Sequence, residues 1–548
     1  MDMQMRVVAE RERGGIDFLL RRAAELAPGR VALDDRLTGV CWTYAQLMDR
    51  ASQLARALEA LGLSKGDVVA TALRNESPAI ETVFACAMAG LVIAPLNTRM
   101  APVEAREFLT KQQARVLICR GALADFGLGG SVSHIVLCGA PVGSSGGVDY
   151  ESFIAPFSTA PLAPRATWTD AFMIGMTGGT TGGSKGAVVS HVSCLLDVLS
   201  SISHLGLRPG FKALCTAPVY HLAGLNWACL AVLWQVGTVV FPAMQSFDPS
   251  AFLNTVANEG VDCFFLIPAM VGPLYQAWDG RPLTGVKAIA LASAPVPKAS
   301  RIKLTEMFPQ AHKVVAYGMT ECLSISIQRP EDFVEHGDGV GRPALSARMR
   351  VVDDEGRSLP AGRAGNVVAR TLGQALRYNH NAEATTSTFH LLPDDPEELE
   401  WVHTGDVGFV DDEGRLTLLD RAKDIIISGG ENVASSEVES VLMQHSGVAE
   451  CAVIGVDDER WGEMVCAVVV SVQTDQARDS FLAAELLAIC REQLAAFKVP
   501  KRFTFATCLP RSAFGKVLKR DLRNTKFETW IDAGTLPKPS DTYKGDMK

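Results

Sequence analysis

The sequence predicts an α/β protein, with a large N-terminal domain of helix-covered sheets, a small β subdomain and a smaller α+β C-terminal domain. Three observations carry this. β-like runs of four to six residues alternate with helix-like segments from residue 68 to residue 316, the pattern of parallel sheets with helices on both faces. After Gly341-Arg342-Pro343 short strands follow one another with tight turns between them, and beyond Lys423 strands and helices mix again. The 548 residues also exceed what one ordinary core organises.

In order, residues 42–63 carry apolar positions at helical spacing, and Gly66-Asp67 turns the chain into a strand at 68–73. A helix at 79–89 and a strand at 91–96 follow, with further strands at 116–119, 134–138, 263–267, 288–292 and 313–316. Residues 213–247 contain no Asp, Glu, Lys or Arg, and 222–243 is mostly apolar, long enough on paper to cross a bilayer. Gly237 and Pro242 interrupt that run, and residues 235–238 read as a turn between a helix ending near Trp234 and a strand at 238–241. It therefore reads as buried core, with no integral membrane association. The β subdomain has strands at 349–353, 365–370 and 408–410, with turns at Asp354-Glu355-Gly356 and Asp412-Glu413-Gly414. Past Asp420-Arg421-Ala422-Lys423-Asp424 come a helix at 435–445, strands near Val453 and at 468–470, and a helix at 479–496. A boundary at Lys423 divides the chain into domains 1–422 and 423–548; the tail from Trp530 reads as loosely ordered.

Composition excludes some classes. With 48% hydrophobic and 21% charged residues the chain is globular, and its net charge of −9 comes without a basic cluster, so no nucleic-acid partner is expected. The 13 cysteines are scattered, with no C-x-x-C pair or metal-ligand spacing, as suits reduced thiols. Charges near the N-terminus stand where a secretory signal needs an apolar core, so a cytoplasmic location is expected.

TGGTTGGSKG at residues 177–186 is the most chemically loaded stretch, read as following a strand and preceding a helix. Glycines leave backbone N–H groups open to an anion, while Thr177, Thr180, Thr181 and Lys185 add hydroxyls and a positive charge, together a cradle for phosphates. The order Ser184-Lys185-Gly186 fails the nucleotide P-loop pattern, which ends Gly-Lys-Ser/Thr. Residues 182–186 also fit the hydrolase G-x-S-x-G elbow, but the same pattern recurs at 143–147 in plain loop. A purely structural Gly-rich turn is the remaining alternative.

Four more motifs accompany the cradle: YGMTE at 317–321, TGD at 404–406, DRAKD at 420–424 and PRSAFGK at 510–516. With these five in order the chain resembles an acyl-CoA synthetase of the adenylate-forming superfamily, from about Trp42 to Arg523. The resemblance implies ATP, Mg2+ and CoA as cofactor and co-substrates, and a mobile C-terminal domain. It implies ATP/AMP binding by Thr177, Gly178, Gly179, Thr180, Thr181, Gly182, Lys185, Ser293, Ala294, Pro295, Tyr317, Gly318, Asp406 and Arg421. Glu321 would be the Mg2+ ligand, with Thr320 beside it as a donor to the α-phosphate, and Lys516 would stabilise attack of the carboxylate there. Lys423 would be the hinge, and Gly429 and Gly430 would let a pantetheine arm pass near Trp461, for which a structural role stands equally open.

The same resemblance lines the acyl pocket with Tyr220, His221, Ala292 and Ala316, mostly small or apolar, although His221 alone also reads as an ordinary core histidine. No Asp stands where an amino-acid-activating domain binds an ammonium, and no Arg precedes Tyr317, so the acid is expected to be an uncharged fatty or aryl carboxylic acid. The chain departs from the family pattern at Gly178, Ser184, Asn366 and Arg377. The expected function is an ATP-dependent carboxylic acid–CoA ligase that forms acyl-AMP and releases AMP and pyrophosphate. Transfer of the acyl group to a carrier protein is the alternative, and a serine hydrolase using Ser184 the remote one. The partners are then small molecules, with a homodimer kept as one option.

Overall fold

The computed structural model describes residues 13–121, 130–139, 147–177, 184–244, 246–337, 339–429, 431–458, 460–472, 479–511, 517–527 and 529–536. The α/β expectation holds: two large sheets with mainly parallel centres make up the N-terminal part. One sheet has eight strands, in the order Arg377–Tyr378, Lys185–Ser190, Ala171–Thr177, Val92–Pro95, Val68–Ala72, Ala114–Arg120, His134–Cys138 and Val148–Asp149. The other has nine, in the order Arg342–Pro343, Leu323–Gln328, His312–Met319, Ala288–Leu291, Cys263–Leu266, Lys212–Leu214, Thr238–Phe241, Val31–Asp35 and Val40–Thr43. The central strands of both are short, fully buried runs, as a sheet covered on both faces requires.

Local chemistry sets the helix starts. Thr43 and Gln46 form a reciprocal capping box at the head of Tyr44–Ala60, which moves that helix two residues inside the expected span and leaves Val40–Thr43 as a strand. Ser190 accepts from the Ser193 N–H and opens the His191–Leu205 helix. The apolar run after residue 222 is interior, and its first part, Gly224–Leu230, is a π-helix, continued by Ala231–Trp234. Among the described residues no helix is long and apolar enough to cross a membrane.

His191 lies buried at the start of its helix, tilted against Phe172 with ring centroids 4.8 Å apart, and its Nδ1 accepts from the Ile16 N–H at 3.2 Å. Burial pushes the imidazole down from 6.5 to about 4, with Asp170 opposing the shift and Lys65 adding to it. The folded chain thus binds fewer protons than the unfolded one between pH 6.5 and about 4, so stability falls as pH drops through that window, by about 3 kcal/mol at its end. Urea midpoints measured across that range should flatten in His191→Gln, whose amide oxygen can still accept from Ile16; an unaltered pH slope contradicts this origin.

The chain divides into two compact units, one comprising Met1–Arg350, Val368–Thr404 and Asp411–Leu416, the other Val351–Val367, Gly405–Val410 and Thr417–Lys548. The division runs through the strands of the small β region. That sheet has Ala347–Val352, Gly365–Thr371, Glu400–Val410 and Phe389–Leu391 in order, with Leu416–Arg421 paired to Glu400–Val410. The last of the expected strands here, 408–410, is the end of an eleven-residue strand. The second unit's own sheet runs Glu431–Val433, Ile426–Ser428, Gly462–Ser471, Arg502–Phe505 and Ile531–Asp532, with Val448–Asp458 paired to Gly462–Ser471. Val438 and Leu442 of Ser435–Leu442 and Leu486 and Cys490 of Asp479–Gln493 pack on it around Val465, Ala467 and Phe503.

Candidate functional site

In the first unit the expected residues gather at the carboxyl ends of parallel strands, where open α/β sheets present ligand crevices. Thr177 ends Ala171–Thr177, Ser293 follows Ala288–Leu291, and Thr320 follows His312–Met319.

The glycine-rich run departs from its expected setting. Lys185 opens a strand antiparallel to Ala171–Thr177, with Thr177 opposite Lys185, so the run joins two strands of a hairpin and the helix begins only at His191. The β-branched pair Val188-Val189 favours the strand, and the Ser190 cap starts the helix. A hydrolase elbow needs a strand-to-helix turn at the serine, and Ser184 precedes a strand instead. Gly178, Gly179, Thr180, Thr181 and Gly182 lie outside the described residues, as do Gly430 and Lys516.

Arg377–Tyr378 pairs with the far side of Lys185–Ser190, Tyr378 opposite Ala187. This brings in a residue that the sequence reading passed over. The Lys185 ammonium sits 5.1 Å over the Tyr378 ring, and the Tyr378 hydroxyl, also bonded to Thr177, donates to Glu321 Oε1. Burial first, then the Glu321 carboxylate, pushes the Tyr378 phenol up, so it remains a donor across the working pH range. The pointer in the sequence is the Arg377-Tyr378 pair, whose first residue departs from the family pattern.

YGMTE ends the His312–Met319 strand and enters the turn of its hairpin with Leu323–Gln328, Thr320 and Glu321 lying in the turn. A Cβ on Gly318 would fall 2.0 Å from the Leu323 carbonyl oxygen, so only glycine closes this turn. Glu321 is only 4% exposed although it sits in a turn, and its carbonyl accepts from the Ala375 N–H at 2.8 Å. Gly175, on the strand leading to Thr177, supports the hairpin from below. A Cβ there would lie 2.5 Å from Thr320 Cγ2 and 3.2 Å from Leu222 Cδ1. Gly175→Val should therefore displace Thr320 and cut turnover by about tenfold or more while the protein still folds. Turnover equal to wild type in a folded variant contradicts the contact's importance.

Ser293, Ala294 and Pro295 are exposed, and Ser293 holds φ +76°, a left-handed backbone conformation that costs a non-glycine residue about 1–3 kcal/mol. Tyr317, Ala292 and Ala316 are partly buried against the main core. Tyr220 and His221 lie side by side, 6.0 Å between ring centroids, in the loop before the π-helix. Val219 and Tyr220 also line a small recess with Thr71, Val83, Ile93 and Pro95.

TGD lies inside the Glu400–Val410 strand, and in the second unit Asp406 is buried, its Oδ1 2.8 Å from Arg421 Nε. Asp420 accepts from the Ser435 N–H at 2.6 Å, and Asp424 pairs with Arg523 at 3.0 Å, so both acids of DRAKD fix the segment holding Lys423. Lys423 itself is exposed; residual desolvation and the neighbouring Arg421, Arg523 and Arg520 lower its pKa despite Asp424. The Gly429 N–H donates to the Trp461 carbonyl at 2.7 Å, and the Trp461 ring carries Arg460 at 4.9 Å and Lys501 at 5.6 Å. Asn366, one departure from the pattern, donates to Asp354 at 3.1 Å and steadies a surface turn.

Among the described residues no group of three or more His, Cys, Asp or Glu could hold a metal ion by itself. Glu321 is a lone buried carboxylate in the first unit's cluster, and such a donor fits Mg2+, which keeps waters and takes phosphate oxygens for its other ligands.

Residues 20–379 match the AMP-binding enzyme family, and residues 437–516 match the AMP-binding enzyme C-terminal domain. Feruloyl-CoA synthase of an Amycolatopsis species is 33% identical over 505 residues, covering 92% of this chain and 97% of that protein. The fatty acid–[acyl-carrier-protein] ligase ScoC of Streptomyces coeruleorubidus is 32% identical over 499 residues, covering 88% of this chain and 91% of that protein. Among solved structures, the anthranilate CoA ligase AuaEII in complex with anthranoyl-AMP superposes with a TM-score of 0.84 at 26% identity, covering 94% of this chain and 97% of that one.

Proposed function

The chain belongs to the AMP-binding enzyme family, and from that premise we propose which of its residues carry each step and which acid it takes. It is an AMP-forming acid–thiol ligase, using ATP to make an acyl-adenylate and CoA to take the acyl group. The observation that carries the residue assignment is the cluster of Thr177, Lys185, Tyr378 and Glu321 at the strand ends, one cation and three oxygen-bearing side chains held together.

Thr177, Lys185 and residues 178–182 hold the triphosphate, and Thr320 donates to the α-phosphate. Tyr317 stacks on adenine, with Gly318 and the 293–295 segment beside it, while Asp406, oriented by Arg421, accepts from the ribose hydroxyls. Bound Mg2+ supplies charge neutralisation at the phosphates, and Glu321 is its protein ligand, oriented by the Tyr378 hydroxyl. A carboxylate oxygen of the acid attacks the α-phosphorus, the bond to pyrophosphate breaks, and Lys516 neutralises the charge that builds there. The CoA thiol, losing its proton, then attacks the acyl carbon and AMP leaves. A turn of the 423–548 domain about Lys423 separates the two steps and brings Gly429, Gly430 and Trp461 to the pantetheine path.

The acid is an aryl or fatty acid with no second charge. The small Ala292 and Ala316 and the aromatic Tyr220 support this, and so do relatives named for feruloyl, indoleacetate and long-chain fatty acids. A pyrophosphate-release screen over aliphatic, aryl and hydroxy-aryl acids tests it; turnover confined to dicarboxylic or amino acids overturns it. The relative that loads a carrier protein favours a second reading of the acceptor, decided by whether purified enzyme makes the CoA thioester. Cytoplasmic residence belongs to the same proposal, supported by 13 cysteines that all stand as free thiols, and so does a homodimer, which light scattering would read.

A further inference from the structure

A buried acid lies behind the candidate site, and neither the motifs nor the steps above use it. Asp197, on the His191–Leu205 helix, is 5% exposed. Its Oδ1 accepts from Ser324 Oγ at 2.5 Å and its Oδ2 from Asn226 Nδ2 at 2.8 Å, and the Ser324 N–H and the Trp227 side chain add to the set. Asn226 is held in turn by Cys194 Sγ at 3.2 Å from its Oδ1. Burial raises the Asp197 pKa, while these donors act in the opposite direction.

The origin of the donors matters more than their number. Ser324 pairs with Gly318 across the hairpin whose turn carries Thr320 and Glu321. Asn226 and Trp227 belong to the π-helix that begins three residues after His221, and the Leu225 N–H donates to the His221 carbonyl at 2.9 Å. One carboxylate thus ties the nucleotide-side hairpin to the acid-side loop, from a helix that starts where the Lys185–Ser190 strand ends. Leu222 and Thr320 also converge above Gly175, so the two elements meet again at the site itself. A buried ionisable group is costly unless every partner is met, and an apolar residue would fill the space more cheaply if only packing were needed. π-Helical turns are rare and often mark functional segments, and here the turn brings Asn226 to Asp197.

We infer that Asp197 is a positioning residue that sets the hairpin of Thr320 and Glu321 against the loop of Tyr220 and His221, fixing the distance between the α-phosphate and the attacking carboxylate. This rests on the ligase reading, and wild-type pyrophosphate release with any acid is the control that fails if that reading fails.

The test separates the two arms with folded single variants, each removing one side-chain donor to Asp197. Ser324→Ala should raise the KM for MgATP about five- to tenfold and leave the acid KM within about twofold, and Asn226→Ala should do the reverse, as loss of one bond to a charged acceptor allows. Asp197→Asn should raise both and lower kcat, and Ser324→Ala/Asn226→Ala should be no worse than Asp197→Asn, because both act through one carboxylate. AMP binding by calorimetry, which needs no chemistry, should weaken in Ser324→Ala and stay unchanged in Asn226→Ala. Lowered melting temperatures with both KM values and AMP affinity unchanged would overturn the inference and leave Asp197 a packing element. Equal shifts of both constants in both single variants would overturn it too.

Discussion

Glu321→Gln is expected to lower acid-dependent pyrophosphate release by about a hundredfold or more and to move the Mg2+ concentration for half-maximal rate upward. Glutamine keeps the size of the side chain and can still accept from the Tyr378 hydroxyl, so the buried contact survives and the melting temperature should move little. What disappears is the negative charge, and a neutral amide is a poor ligand for a hard cation that keeps most of its waters. Tyr378→Phe should give a smaller fall, about tenfold, because it frees the carboxylate from its orienting donor without discharging it. The ordering of the two variants is the informative part. A Mg2+ dependence unchanged in Glu321→Gln would remove Glu321 from the metal and leave the buried pair as a structural contact.

Much of this site was legible because its chemistry is local in sequence. Gly318, Thr320 and Glu321 lie within four residues, and a single tight turn gives each its reason: glycine where two backbones nearly touch, the acid at the tip. The alternation of strand and helix before residue 316 was legible as well, since fully buried strands leave uninterrupted apolar runs. Tyr378 was not, because it reaches Glu321 only by strand pairing between residues almost two hundred positions apart, which no window of sequence displays. Asp197 was hidden for the same reason. The strand after the glycine-rich run was missed because Val188 and Val189 are followed at once by a strongly helical segment, and only the Ser190 cap separates the two. The π-turn at Gly224–Leu230 has no compositional signature at all; all seven residues are buried and read equally well as an α-helix. The strand around Asp406 was legible only at its end, 408–410; the flanking Trp401, Val402 and Val407 carry it through Thr-Gly-Asp, and Gly405 absorbs the irregularity at φ +72°.

Lys516→Ala should produce the largest effect on adenylation and almost none on the second step. Removing a point charge that neutralises the pentacoordinate phosphorus is expected to cut pyrophosphate release by about a hundred- to a thousandfold. Acyl-AMP supplied ready-made should still react with CoA at close to the wild-type rate, because the adenylate then needs no phosphorus chemistry. The neighbours argue that the substitution stays local. Arg511 and Val517 pair as an antiparallel bridge, the Leu518 N–H donates to the Pro510 carbonyl at 2.8 Å, and Arg511 reaches Glu450 at 2.9 Å. Lys516→Arg should recover little, since a planar, branched guanidinium does not reproduce a compact ammonium delivered to one oxygen. Measuring the two half-reactions separately is therefore decisive: a parallel loss in both would mean that the variant fails to fold or to dock, whereas loss confined to pyrophosphate release assigns Lys516 to the first transition state. Pyrophosphate release undiminished in Lys516→Ala would remove the lysine from the mechanism, and with it the reason for the 423–548 domain to turn between steps.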